Sequence, residues 1–193
     1  MAKRIVIIDG HPDPDPGRFC HALAQAYREG AEGAGLSVEL LSLAQLEIPL
    51  LRSRRDWESG TPSPAVQACQ DAVSAADHLV IIYPLWLGSM PALLKAFFEQ
   101  VFRPGFAIKA KHDTLWPGLL MGKSARIVVT MGMPALAYRW FFLAHSLKSL
   151  ERNILRFSGI GPIRETLIGM VEASAAKRAR WLGRIRELGS GAG

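Results

Sequence analysis

Residues 10–20, GHPDPDPGRFC, follow a short apolar run and have a composition suited to holding an anion. If a helix begins near Arg18, its unpaired N–H groups and its positive dipole end face this segment. His11 and Arg18 would add charge-assisted hydrogen bonds. The segment contains neither the G-x-G-x-x-G pattern of a Rossmann site nor a P-loop. We predict an anion site of another kind, and a proline-stiffened turn without a ligand is the alternative.

The same segment contains His11, Asp13 and Asp15 in an H-x-D-x-D pattern, which could also suggest a metal ion. A metal site of that type needs further His or carboxylate ligands from the ends of other strands. The sequence offers no such set at the predicted strand ends. We therefore predict no metal.

A second segment, residues 83–91 (YPLWLGSMP), is suited to lie beside a planar ring. Its two prolines fix the backbone, Gly88 permits a close approach, and Trp86 and Leu87 offer flat apolar surface. The alternative is an apolar cap on the hydrophobic core.

A third segment, residues 130–134 (TMGMP), precedes a dense aromatic run at residues 138–142 (YRWFF). Such a run forms part of a core, a dimer interface or a substrate-binding wall. The Tyr138 hydroxyl is a candidate donor to negative charge that develops on a reduced cofactor.

Apolar runs of strand length alternate along the chain with helical patterns. This alternation predicts βαβ units around a parallel sheet, and these elements would position the three segments. Right-handed crossovers favour a three-layer α/β fold of the flavodoxin-like type, with strand order 2-1-3-4-5. In such a sheet the three segments meet outside the carboxyl ends of the strands. The predicted strands are Arg4–Asp9, Ser37–Leu43, His78–Tyr83, Ala125–Thr130 and Ile163–Gly169.

Helices are predicted between these strands. One long helix is expected over Ala137–Phe157, and Glu47–Pro64 is expected to be a surface loop. Gly35 is placed just after the end of the first helix, where glycine is favoured. The other predicted helices are Arg18–Ala34, Pro64–Ala75, one that begins at Pro91, and Ala173–Leu188.

The bulk composition is that of one globular domain covering residues 1–193. The net charge is +6, but the basic residues are dispersed, so we predict no nucleic-acid binding. No apolar run approaches a membrane span and no signal peptide is apparent, so no membrane insertion is expected. Two cysteines provide no disulfide framework, which suits a cytoplasmic protein.

Together the segments resemble the NAD(P)H:quinone oxidoreductases of flavodoxin-like fold. These are the DT-diaphorase group and its shorter bacterial relatives of the modulator of drug activity B type. The resemblance covers nearly the whole chain, and its most specific parts are residues 83–95 (YPLWLGSMPALLK) and 101–107 (VFRPGFA). The motif at residues 10–12 (GHP), Phe19, and residues 122–124 (GKS) support it further.

The resemblance implies roles for particular residues. The flavin phosphates would be held by His11 and by Gly17, Arg18, Phe19 and Cys20. The isoalloxazine ring would lie on Pro84, Leu85, Trp86 and Leu87, and its pyrimidine edge would meet Thr130, Met131, Gly132 and Met133. Tyr138 matches a tyrosine that stabilises the reduced flavin, and His145 lies near the family's active-site histidine.

The resemblance also implies an activity, which is ping-pong transfer of two electrons from NAD(P)H through FMN or FAD to a quinone-like acceptor. A homodimer is implied, because two subunits build the pocket in this family. Alternatives are a flavodoxin-type electron carrier, an ancillary regulator of a potassium efflux system, and an azo or nitro reductase. Carriers of that type tend to be acidic, unlike this chain.

Overall fold

A single parallel sheet forms the centre of the computed structural model, which describes residues 2–109 and 118–192. Its strand order is β2-β1-β3-β4-β5, as predicted. The register is regular, and Asp9 at the end of β1 lies beside Ser42 of β2 and Ile82 of β3. The strands are β1 (Arg4–Asp9), β2 (Ser37–Ser42), β3 (His78–Pro84), β4 (Ser124–Met131) and β5 (Ile163–Gly169).

The central strands are near-continuous apolar runs because helices cover both faces of the sheet. Every residue of β3 is buried. The helices are α1 (Phe19–Gly33), α2 (Arg54–Ser59), α3 (Pro64–Ala75), α4 (Ala92–Val101), α5 (Ala135–Trp140), α6 (His145–Ser149) and α7 (Ala175–Ser190). Helices α1 and α7 pack on one face, and α3, α4 and α6 contribute to the core on the other. Within the described ranges, no helix is long and apolar enough to cross a membrane.

Two sequence-based predictions about helices are wrong. The predicted loop Glu47–Pro64 contains the short helix α2, whose first turn is capped by the Ser53 hydroxyl accepting from the Asp56 N–H. The predicted helix Ala137–Phe157 is interrupted after α5 and resumes as α6, which continues into a π-helical segment over Leu150–Arg156. Other strand and helix ends agree with the predictions to within two residues.

The interruption has a clear backbone cause. Leu143 and Ala144 have φ angles of 53° and 47°, in the left-handed region that an α-helix cannot include. The turn is held by the Ala144 N–H, which donates to the Tyr138 carbonyl at 3.1 Å. Since neither glycine nor proline marks this turn, the sequence pattern alone does not reveal it.

Candidate functional site

The structure brings the three predicted segments together at the carboxyl edge of the sheet. The Gly10 N–H donates to the Ile82 carbonyl at 2.7 Å, joining the first segment to β3. The Leu85 N–H donates to the Thr130 carbonyl at 2.7 Å, and the Cys20 thiol lies 3.4 Å from the Thr130 hydroxyl. Direct hydrogen bonds therefore hold the three segments in one crevice.

The first segment is shaped by its own aspartates. Asp13 Oδ1 accepts from the Asp15 N–H at 3.0 Å, and Asp15 Oδ1 accepts from the Gly17 N–H at 2.9 Å. The Arg18 guanidinium lies 2.7 Å from Asp13 Oδ2 and 3.2 Å from Asp15 Oδ2. The two carboxylates therefore balance the charge of Arg18 and fix the path of the chain. In the described ranges, no group of three or more His, Cys, Asp or Glu side chains could hold a metal ion.

The start of α1 faces this crevice with open donors. Arg18 is the N-cap residue and provides no side-chain cap, and the first turn contains no acidic residue. Among the described residues, the N–H groups of Phe19 and Cys20 have no hydrogen-bond acceptor. A helix start with unpaired N–H groups and no carboxylate of its own is suited to a phosphate.

A buried acid–histidine pair lies beneath the first segment. Asp9 is 3% exposed, and its carboxylate pairs with Nδ1 of His21 on α1. The other ring nitrogen of His21 is 2.9 Å from the Asp13 carbonyl, so both nitrogens face acceptors. Burial opposes the charged imidazole, but the hydrogen bonds to Asp9 and Asp13 outweigh it and raise the pKa of His21. The pair ties the end of β1 to α1 and to the loop between them.

The sequence reasoning missed both members of this pair. The available signal is the position of His21, which is the third residue of α1 and therefore lies on the turn that faces the loop. Asp9 supports the loop a second time, because its Oδ1 accepts from the His11 N–H at 3.2 Å.

His11 is buried and presents one hydrogen-bond donor. Its Nδ1 accepts from the Asp13 N–H at 3.2 Å, which assigns the proton of a neutral ring to Nε2. Burial and the neighbouring charge of His21 lower the pKa of His11, in agreement with a neutral ring. The ring packs edge-on against Trp86, with 5.7 Å between centroids.

The second segment forms a tight turn that stands clear of the sheet. Trp86 and Ser89 exchange two backbone hydrogen bonds of 2.9 Å, and φ is positive at both Leu87 (48°) and Gly88 (78°). This is the geometry of a type I′ turn. The Trp86 side chain is 47% exposed and Leu87 is fully exposed, whereas Pro84 before them is buried. The turn offers an apolar surface for a flat ligand.

The third segment exposes mainly its backbone. Thr130 and Met131 are buried, and the Thr130 hydroxyl contacts Cys20. Burial raises the pKa of Cys20 to about 12, so this residue remains a thiol. Gly132 is exposed and an added Cβ there would meet no atom within 4 Å, while Met133 is half-buried. A ligand that approaches Gly132 would meet the main chain, with the side chains of Met133 and Pro134 beside it.

The two residues predicted to be catalytic differ in their surroundings. Tyr138 is buried, and its hydroxyl lies 2.7 Å from the Ser146 hydroxyl and accepts from the Leu147 N–H at 3.3 Å. His145 is exposed at the first residue of α6. Their catalytic roles stay predictions.

The fold and the site agree with what the comparison with known protein families finds. The family described as "Flavodoxin-like fold" matches residues 3–188. The chain belongs to this family. The resemblance seen in the sequence is thereby confirmed at the level of the family.

Two relatives and one solved structure illustrate the similarity. The chain is 26% identical over 168 residues to an "Uncharacterized NAD(P)H oxidoreductase" of Haemophilus influenzae, covering 85% of this chain and 82% of the relative. It is 29% identical over 189 residues to an "FMN-dependent NADH:quinone oxidoreductase" of Nitratidesulfovibrio vulgaris, covering 86% of this chain and 87% of that one. The crystal structure of Smu.1420 from Streptococcus mutans superposes with a TM-score of 0.82 at 28% identity, covering 97% of this chain and 99% of that chain.

Proposed function

We propose that this protein is an FMN-dependent NAD(P)H:quinone oxidoreductase. The observation that carries the proposal is the juxtaposition of an open helix start, at Phe19 and Cys20, with the exposed apolar turn of Trp86 and Leu87. One suits a phosphate and the other a flat ring, which are the two ends of a flavin mononucleotide. The relative from Nitratidesulfovibrio vulgaris is named as FMN-dependent, and this favours FMN over FAD.

The residues at the helix start fit the phosphate end. The Phe19 and Cys20 N–H groups and Nε2–H of His11 supply donors, and Gly17 allows the chain to approach closely. The Arg18 charge is already balanced by carboxylates and His21 is paired with Asp9, so the positive field at this end comes from the helix dipole.

The ring end would be held by the second and third segments. Trp86 and Leu87 would cover the ring, Pro84 and Leu85 would fix the turn beneath it, and the backbone around Gly132 would read its polar edge. When bound, the flavin supplies the two-electron transfer between nicotinamide and quinone. The protein orients both substrates and shields the ring from water.

Tyr138 and His145 remain our proposed partners for negative charge on the reduced cofactor. The hydrogen bonds of Tyr138 are compatible with this role in one arrangement. If the Ser146 hydroxyl donates to the phenol oxygen, as the Leu147 N–H does, the phenol proton is free for the cofactor.

The first test is the absorbance spectrum and mass of the cofactor released from purified protein. We expect FMN, bleaching of its absorbance by NADH or NADPH, and recovery on addition of a quinone. Trp86→Ala should weaken FMN binding while Trp86→Phe retains it, and Trp181→Ala on α7 is the matched control. Protein that neither contains nor takes up flavin would refute the proposal, and bleaching without recovery would refute quinone reduction.

We also propose that the protein is a homodimer. Large apolar side chains are exposed near the start of α5 and in the turn that follows this helix. They form a group, whereas exposed apolar residues on a monomer are usually scattered singly. These residues are Leu136, Trp140, Phe141, Phe142 and Leu143. A second copy of the chain would cover them and close the crevice.

Sedimentation of the double variant Trp140→Ser/Phe141→Ser tests the dimer. We expect a monomer with reduced quinone reductase activity, whereas Leu50→Ser, which changes a leucine that is 61% exposed outside this surface, should leave the mass unchanged. A dimer of unaltered stability in the double variant would contradict the assignment of this surface.

The two cysteines are both free, which favours a location in the cytoplasm. Cell fractionation tests this location.

A further inference from the structure

A cavity lies at the opposite edge of the sheet, at the amino ends of β3, β4 and β5. Its volume is about 360 Å³, which leaves room for several waters or a small anion. His78, Arg126 and Arg164 line it from the strands, Tyr27 from α1, and Lys3 from the start of the chain. None of these residues takes part in the proposed flavin site.

The charges around this cavity are unbalanced. Arg126 and Arg164 are directly paired neighbours on β4 and β5, an arrangement in which like charges repel. In the part of the chain that the structure describes, neither forms an ion pair with a carboxylate. Among the described residues that line the cavity Asp77 alone is acidic; it accepts from the Arg4 N–H at 2.8 Å, and its single negative charge does not balance the two arginines. Lys3 adds a third positive charge, although its Nζ donates to the Ala192 carbonyl.

Unsatisfied donors also line the cavity. Arg126 is 8% exposed, and its Nε has no hydrogen-bond partner, while one terminal nitrogen donates to the Thr166 hydroxyl at 3.3 Å. The Tyr27 hydroxyl is buried beside the Arg126 guanidinium and also lacks a hydrogen bond of good geometry. Burial raises the pKa of Tyr27, although Arg126 and Arg164 act in the opposite direction, so its hydroxyl keeps its proton and can donate. Buried donors of this kind are costly unless a ligand or water accepts from them.

His78 responds to this positive field. Its Nδ1 lies 2.8 Å from the Ser124 hydroxyl. Burial, together with the charges of Lys3, Arg126 and Arg164, lowers the pKa of His78 to about 4. The imidazole is therefore neutral near pH 7, and an anion in the cavity would make its protonation easier.

We propose that this cavity binds a phosphate group, held by the guanidinium groups of Arg126 and Arg164 and the hydroxyl of Tyr27. Guanidinium groups match the oxygen geometry of phosphate, and two adjacent cations without acidic partners favour a multiply charged anion. The cavity has more room than a single anion needs, so a small phosphate monoester fits as well as free phosphate. The site is separate from the flavin crevice, because a seven-residue strand of about 3.3 Å per residue lies between them.

Proton NMR of the His78 ring tests the proposal on the whole protein, because this ring reports only on the amino edge. We expect inorganic phosphate, compared with chloride at equal ionic strength, to raise the pKa of His78 by about one unit, as a nearby opposite charge does. Titrations with adenosine monophosphate and with adenosine separate the two sources. Tighter binding of the monophosphate than of phosphate identifies a monoester ligand, and equal binding identifies free phosphate.

Two variants and one control complete the test. Arg164→Gln changes an exposed residue and should weaken phosphate binding about tenfold or more, and Arg126→Gln should do the same. Arg152→Gln, an exposed arginine elsewhere, should bind like the unaltered protein. The proposal would be overturned if phosphate left the pKa of His78 unchanged. It would also be overturned if the shift caused by phosphate were the same in both variants as in the control. Because His78 is remote from the crevice, neither result depends on flavin binding.

Discussion

Replacing His21 with alanine would leave the Asp9 carboxylate buried without its cationic partner. Asp9 would keep only the His11 N–H, at 3.2 Å. Removing one partner of a buried ion pair typically lowers the stability of a protein by about 3–5 kcal/mol. The His21 side chain is 17% exposed, so we take the lower end and expect His21→Ala to reduce the free energy of unfolding by about 3 kcal/mol.

The loss should depend on pH in one direction. The pKa of His21 is raised in the folded protein above its ordinary value of about 6.5. The pair therefore contributes its full stability below about pH 6.5, and this contribution is lost as the pH rises through the folded-state pKa. The difference in stability between the unaltered protein and His21→Ala should be largest near pH 6 and should shrink toward alkaline pH.

Urea denaturation of the flavin-free protein measures both effects. Asp9→Asn combined with His21→Ala gives a double-mutant cycle, and we expect a coupling energy of about 2 kcal/mol, since the neutral amide no longer needs a cation. Arg28→Ala removes an ion pair whose side chains are 41% and 44% exposed, and should cost less than about 1 kcal/mol. A coupling energy near zero, or a stability difference that is flat between about pH 6 and pH 9, would refute the reasoning.

Three further changes test other parts of the site. Gly10→Ala places a Cβ 2.9 Å from a leucine methyl, so we expect the free energy of unfolding to fall by about 1–3 kcal/mol and the thermal unfolding temperature to fall with it. Gly132→Ala has open space around it and should leave both unchanged. Tyr138→Phe leaves the Ser146 hydroxyl without its partner, so we expect the free energy of unfolding to fall by about 1 kcal/mol and flavin reduction to slow at normal flavin content. An unchanged rate of flavin reduction in stopped-flow experiments would remove Tyr138 from the mechanism. Leu87→Gly relieves a left-handed φ of 48° and should stabilise the apoprotein by about 1 kcal/mol while weakening FMN binding by fluorescence titration, and unchanged affinity would show that Leu87 does not contact the ring.

The sheet and the site edge were accessible from the sequence because they depend on local pattern and on general rules of chain connection. The apolar run over Leu79–Ile82 is continuous because both faces of β3 are covered. Right-handed crossovers then fix the strand order, and the order brings the segments after β1, β3 and β4 to one edge. These steps need no knowledge of individual side-chain contacts.

Features that depend on tertiary contacts were not accessible in this way. The left-handed turn at Leu143 and Ala144 occurs in residues with no local preference for it, and the hydrogen bond to the Tyr138 carbonyl holds it. The pairing of Asp9 with His21 requires α1 to lie across the end of β1, which no pattern of residue types specifies. The cation pair of Arg126 and Arg164 appears only when the register of β4 and β5 is known.

The aspartate-lined path of the first segment bears on how the cofactor would associate. Because the Asp13 and Asp15 side chains hold the chain through internal hydrogen bonds and the neighbouring prolines fix φ, the conformational entropy of this loop is lost when the protein folds. A cofactor then meets a preorganised receptor, and association proceeds without coupled folding of the loop. Calorimetry would register this as a small negative heat-capacity change, limited to the apolar surface that the ring covers. Apoprotein and holoprotein would accordingly show the same protection of these loop amides against hydrogen exchange.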